Sequence, residues 1–67
     1  MNIDIKKYIV ENFKDSNIEE LRSSITSGVE ANKEIILPGF GVFFEILWNN
    51  CNDEEKNFIL NTIKKGL

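Results

Sequence analysis

Sixty-seven residues make one small domain, and a chain of that size buries only about 60% of the surface its unfolded form exposes. Eleven acids against eight bases leave a net charge of -3, which opposes condensation along a phosphate backbone and disfavours a non-specific DNA coat without excluding a nucleic-acid partner. One cysteine and no histidine exclude an internal disulfide and the usual zinc sets, so stability has to come from well-packed helices or from a partner subunit.

Ile3, Ile5, Ile9, Val10 and Phe13 recur at near-helical spacing, with Asp4, Lys6, Lys7, Glu11 and Asn12 on the other side. This predicts a short amphipathic helix over about 3–14, with Asp4 and Lys14 placed to suit its dipole. The same opening stretch, MNIDIKKYIVENF, has no uninterrupted apolar segment of signal-peptide type, and no other run is long enough to cross a bilayer. A soluble, intracellular protein without a membrane partner is expected, and the lone Cys51 suits a reducing compartment.

Ser16-Asn17-Ile18-Glu19 matches a capping box, in which the Ser16 hydroxyl would accept from the backbone and Glu19 reach back. A second helix is predicted over about 17–31, with Ile18, Leu21, Ile25 and Val29 as its inner stripe. Gly28 costs roughly 1 kcal/mol relative to alanine inside a helix, so either the helix is weakened there or another backbone packs closely against it, and close packing is the favoured reading.

The segment 35–48, IILPGFGVFFEILW, is the densest apolar run and holds one charge, Glu45. Leu37, Phe40, Phe43, Phe44 and Trp48 are its core anchors, and Pro38-Gly39 predicts a turn at 37–40, because proline biases the preceding residue away from helix. Beyond the turn two periodicities compete. A strand would align Val42, Phe44, Ile46 and Trp48, whereas a helix would align Phe40, Phe43, Phe44, Leu47 and Trp48. A lone two-stranded hairpin is marginal in water, which favours a helix over about 41–50.

Asn52 with Glu55 three residues on predicts a capped last helix over about 53–65. Glu54 and Glu55 at its start and Lys64, Lys65 and Gly66 at its end complement the dipole. Phe58, Ile59, Ile63 and Leu67 are its expected inner face. The fold class is therefore all-α: a bundle of about four short helices in a single domain, 1–67, with no repeat, linker or low-complexity stretch.

Candidate sites reduce to an interaction surface. Gly39-Phe40-Gly41 lacks the GK[ST] and the strand-turn-helix setting of a phosphate loop, and glycines at positive φ in a tight connection explain it better. Cys51 has no basic neighbour or second cysteine to activate it. Glu19-Glu20 and Asp53-Glu54-Glu55 fall in first helical turns, where carboxylates are favoured without any chemistry. Lys6-Lys7 and Lys64-Lys65 are too small and too separated to define a nucleic-acid surface. No catalytic, cofactor-binding or metal residue and no small-molecule substrate is expected. Phe40, Phe44 and Trp48 form the candidate surface, because a chain this short leaves part of its aromatic cluster open for self-association.

Residues 37–48, LPGFGVFFEILW, resemble the LPG-[LF]-GV-x-FE-x-[IL]-W core of the small acid-soluble spore protein I family of endospore-forming bacteria. The likeness extends to the opening helix, to Asn17-Ile18-Glu19-Glu20-Leu21, to 26–29, and to Glu54-Glu55-Lys56-Asn57 with Leu60 and Gly66-Leu67. Cys51 and the Asn-rich segment 49–52 depart from it. The resemblance implies a non-enzymatic sporulation protein made in the forespore and located in the spore core, with a structural, storage or interaction role. It implies no catalytic or binding residues, and it sets the chain apart from the major spore proteins that coat DNA. A weaker likeness, through two N-terminal helices and Gly39-Phe40-Gly41-Val42-Phe43, is to the dimerisation half of histone-like bacterial proteins. That likeness implies the alternative of a dimeric, DNA-associated architectural protein, although residues 49–67 lack the long basic arm such proteins use.

Overall fold

A computed structural model of the chain describes residues 4–67, and Ile3, which the predicted first helix includes, lies outside them. Among the described residues there are four α-helices and no strand: α1 (Ile5–Phe13), α2 (Ile18–Ala31), α3 (Leu37–Asn50) and α4 (Asp53–Lys65). A single 3-10 turn, Glu34–Ile36, leads into α3. The competition between strand and helix over 42–48 is thus resolved as helix.

Local chemistry sets most of the boundaries. The Asp4 carboxylate accepts the backbone N–H of Lys7 at 2.9 Å and opens α1. At α2 the cap is Asn17, whose side-chain oxygen accepts the Glu20 N–H at 2.8 Å, and not Ser16 as the capping-box pattern predicts. Asparagine caps as well as serine does, and the Ser16 N–H is already turned back onto the Phe13 carbonyl at 3.0 Å. α2 ends at Asn32, which takes the left-handed conformation at φ 48° and ψ 45° that asparagine tolerates. The predicted box of α4 is complete: Asn52 accepts from the Glu55 N–H at 2.8 Å and Glu55 accepts from the Asn52 N–H at 2.9 Å.

The predicted turn at 37–40 is absent, and the helix runs through it. Leu37 is helical at φ -58° and ψ -40°, and Pro38 occupies the first turn of α3. Proline has no N–H to lose at that position, where the donor would lack an intrahelical partner anyway, and its ring presets a helical φ. No described glycine has positive φ, so Gly39 and Gly41 serve as helical residues and not as turn formers.

α3 is the central element. α1 lies against it through Phe13 and Phe43, whose rings meet edge to face with centroids 5.2 Å apart. Gly39 sits opposite Ile9 in the same contact. An exposed ion pair, Lys6 Nζ to Glu45 Oε1 at 2.7 Å, closes its flank. α2 meets α3 at Gly28, and what packs there is the Phe40 ring, not a second backbone. α4 meets the far end of α3, where the Lys56 ammonium stands 5.1 Å from the centre of the Trp48 ring.

The packing is open. Ile9, Phe13, Leu21, Ile36, Phe40, Phe43, Ile46, Trp48 and Ile59 are half-buried, and no described residue is fully buried. The radius of gyration is 13.1 Å, against about 11 Å for a compact domain of this length. Several expected core residues face outward. Leu37 and Phe44 are exposed, as are Ile18 and Val29 on α2, and Phe58 is 71% exposed on α4. The Phe58 case follows from helix geometry. Lys56 and Leu60, one turn apart, face α3, and a residue two positions from each must point away.

Candidate interaction surface

Phe44 and Trp48, four residues apart on α3, stack with ring centroids 6.0 Å apart and planes 22° from parallel. That spacing places two side chains one above the other on a single helix face. On one side of this pair runs a groove of about 480 Å³ between α3 and α4, lined by Gly41, Phe44, Glu45, Trp48, Asn49 and Leu60. On the other side runs a groove of about 460 Å³ between α2 and α3, walled by Leu21, Ile25, Phe40, Phe44 and Leu47 among others. Phe44 is common to both, so it stands as a ridge with an apolar channel on each side.

The three residues of the predicted surface are not equivalent. Phe44 is 44% exposed and Trp48 is half-buried beside it. Phe40 is half-buried one turn earlier, with its ring laid against the bare backbone of Gly28. Phe40 also borders a third groove, of about 500 Å³, between α1 and α2 over the start of α3, together with Ile5, Tyr8, Ile9 and Pro38. Leu60 and Lys56 are members of the surface that periodicity alone missed. Their four-residue spacing, which puts both on one face of α4, is the signal in the sequence that points to them.

Charges stand at the rim. The hydrogen bond from Lys6 to Glu45 raises the pKa of the ammonium above its ordinary value, and the carboxylate's charge adds to the effect. Arg22 lies 3.7 Å from Glu19 on the exposed side of α2. Glu19 and Glu20 occupy the first turn of α2, and Asp53, Glu54 and Glu55 that of α4, where helix-end amides favour them. Among the described residues no group of three or more His, Cys, Asp or Glu is placed to hold a metal ion. Cys51 is a free, half-buried thiol at the joint between α3 and α4. No helix among the described residues is long and apolar enough to cross a membrane.

These features define a small all-helical protein whose most distinctive surface is apolar and aromatic. The family model for small, acid-soluble spore protein I matches residues 3–67, and the chain belongs to that family. It is similar to the small, acid-soluble spore protein I of Halalkalibacterium halodurans, at 36% identity over all of this chain and 98% of the relative. The proteins of the same description from Bacillus velezensis and Bacillus subtilis are 34% and 33% identical over all of this chain and 94% of each relative. No solved structure matches the chain.

Proposed function

We propose that this spore protein is a non-enzymatic structural component of the spore core, made in the forespore, that acts by presenting the Phe44 and Trp48 face of α3 to another protein surface. The observation that carries the mode of action is that face. Within 37–50 only Glu45 is charged, and a helix apolar on every side belongs in an interior. Here one side is left open, and an open apolar patch of this kind marks a partner surface. The compartment is supported by family membership. The placement of charge supports a contact role over chemistry: Lys6 is engaged by Glu45, the paired acids sit at helix starts, and the two channels beside Phe44 are walled mainly by carbon.

The test is made in sporulating cells and with the purified chain. An epitope-tagged copy expressed under sporulation control should appear in the forespore and remain with the core fraction after the outer layers are stripped. Recovery in the coat fraction would overturn the compartment. With duplex DNA at physiological ionic strength no mobility shift is expected. A shift that weakens as salt rises would favour the DNA-associated architecture instead.

A further inference from the structure

We infer that the open face of α3 seats a second copy of this chain, so that the protein is a two-fold homodimer joined across Phe44 and Leu47. The assignment rests on the contact role proposed above and names the partner. The two remain separable, because the dimer is decided on the purified chain and the compartment in sporulating cells.

Surface area is the first ground. The folded chain exposes 5989 Å², whereas a folded monomer of 7.7 kDa is expected to expose about 4,300 Å². The surplus is roughly twice the ~800 Å² that each partner contributes to a standard protein interface. A single copy therefore carries enough unburied surface to supply its half of a stable dimer.

The second ground is where the open surface lies. α1 covers the side of α3 that carries Gly39 and Phe43, α2 receives Phe40, and α4 approaches Trp48. The side left over presents Phe44 and Leu47, each 44% exposed, flanked by Ile25 of α2 and Leu60 of α4. A Phe44 ridge with an apolar channel on either side is self-complementary under a two-fold axis, since each copy offers both the ridge and the channel that receives it. The chain also needs this cover in order to fold well, because no described residue is fully buried and no disulfide is available. The one partner present wherever the chain is made is the chain itself.

Electrostatics adds a signature. Each copy carries -3, and Glu45 lines one of the two channels, so association brings like charges together around a mainly apolar contact, and added salt should tighten the dimer by screening that repulsion. Binding to DNA would respond to salt in the opposite direction.

Sedimentation equilibrium of the full chain, reduced so that Cys51 cannot form a disulfide, tests the proposal. The expected mass is twice that of one chain, dissociating on dilution and less readily at high salt. Phe44→Asp with Leu47→Asp should halve the mass, while Phe58→Asp, on the far side of α4, should leave it unchanged. A monomer at every concentration, a mass above that of the dimer, or a dimer that survives the Phe44 and Leu47 changes would overturn it. Should the double variant lose its helical circular dichroism, the wild-type melting temperature decides. A rise with protein concentration is expected of folding coupled to association, and independence of concentration would overturn the dimer.

Discussion

The ring of Phe40 occupies the space that any side chain on Gly28 would need: a Cβ built there falls 2.5 Å from Cζ and 3.1 Å from Cε1 of the ring. The glycine costs α2 some stability, and in exchange the tip of an aromatic ring from α3 approaches its backbone closely. Gly28→Ala gains about 1 kcal/mol of helix propensity but forces the ring aside, an overpacking loss of about 1–3 kcal/mol. The net expectation is a loss of about 1 kcal/mol in urea unfolding at fixed protein concentration. In a Phe40→Ala background the clash is gone, and the same Gly28→Ala change should then stabilise by about 1 kcal/mol. A Gly28→Ala effect of equal size and sign in both backgrounds would show that the ring does not press on α2.

Gly41 gives the complementary case. It lies within α3, and a Cβ there would meet nothing within 4 Å. Gly41→Ala should raise stability by about 1 kcal/mol through helix propensity and reduced freedom of the unfolded chain. Gly39 should benefit less, because a Cβ there comes within 3.3 Å of Ile9 Cδ1. Thermal melts of the two single variants, compared at one protein concentration, check the ranking.

The capping box at Asn52 should be visible by itself. Asn52→Ala removes the acceptor for the Glu55 N–H and is expected to cost about 1 kcal/mol. Amide exchange over the first turn of α4 should quicken more than exchange in α1 or α2. Asn52→Asp, which keeps an acceptor in place, should restore most of the loss.

Lys6 and Glu45 form an exposed pair, so Glu45→Gln should change global stability little. Its effect should appear in titration. The carboxylate raises the Lys6 pKa in the folded chain above the ordinary 10.5. The pair's contribution is therefore fully present below 10.5 and disappears as pH climbs through the raised folded value. Carbon-detected NMR of the lysine side chain should show Lys6 titrating at a lower pH in Glu45→Gln than in the wild type.

The helices were readable wherever residues within four positions of one another decide the matter. Asn52 and Glu55 mark the start of α4, Asn17 and Glu20 that of α2, and both are local devices. The start of α3 was not readable, because Pro38 sends two opposed signals, one against helix at Leu37 and one in favour of helix at its own position. In the structure the second prevails, with Leu37 helical and Pro38 in the first turn of α3. The surface was half readable. Apolar spacing places Phe44 and Trp48 on one face of α3, yet which face of α4 turns toward them depends on tertiary contact, and hydrophobicity alone pointed to Phe58 in place of Lys56 and Leu60. Gly28 was recognisable as a site of close approach, but not as the seat of a ring.

α4 carries both its own opening box and its own closing lysines, and it touches the rest of the molecule chiefly around Trp48. A helix so lightly moored, and of a length that is marginal by itself in water, can come away and melt as a unit. Its amides should then trade hydrogen for deuterium as a group, ahead of those in α3, and each such excursion would bare the indole to water.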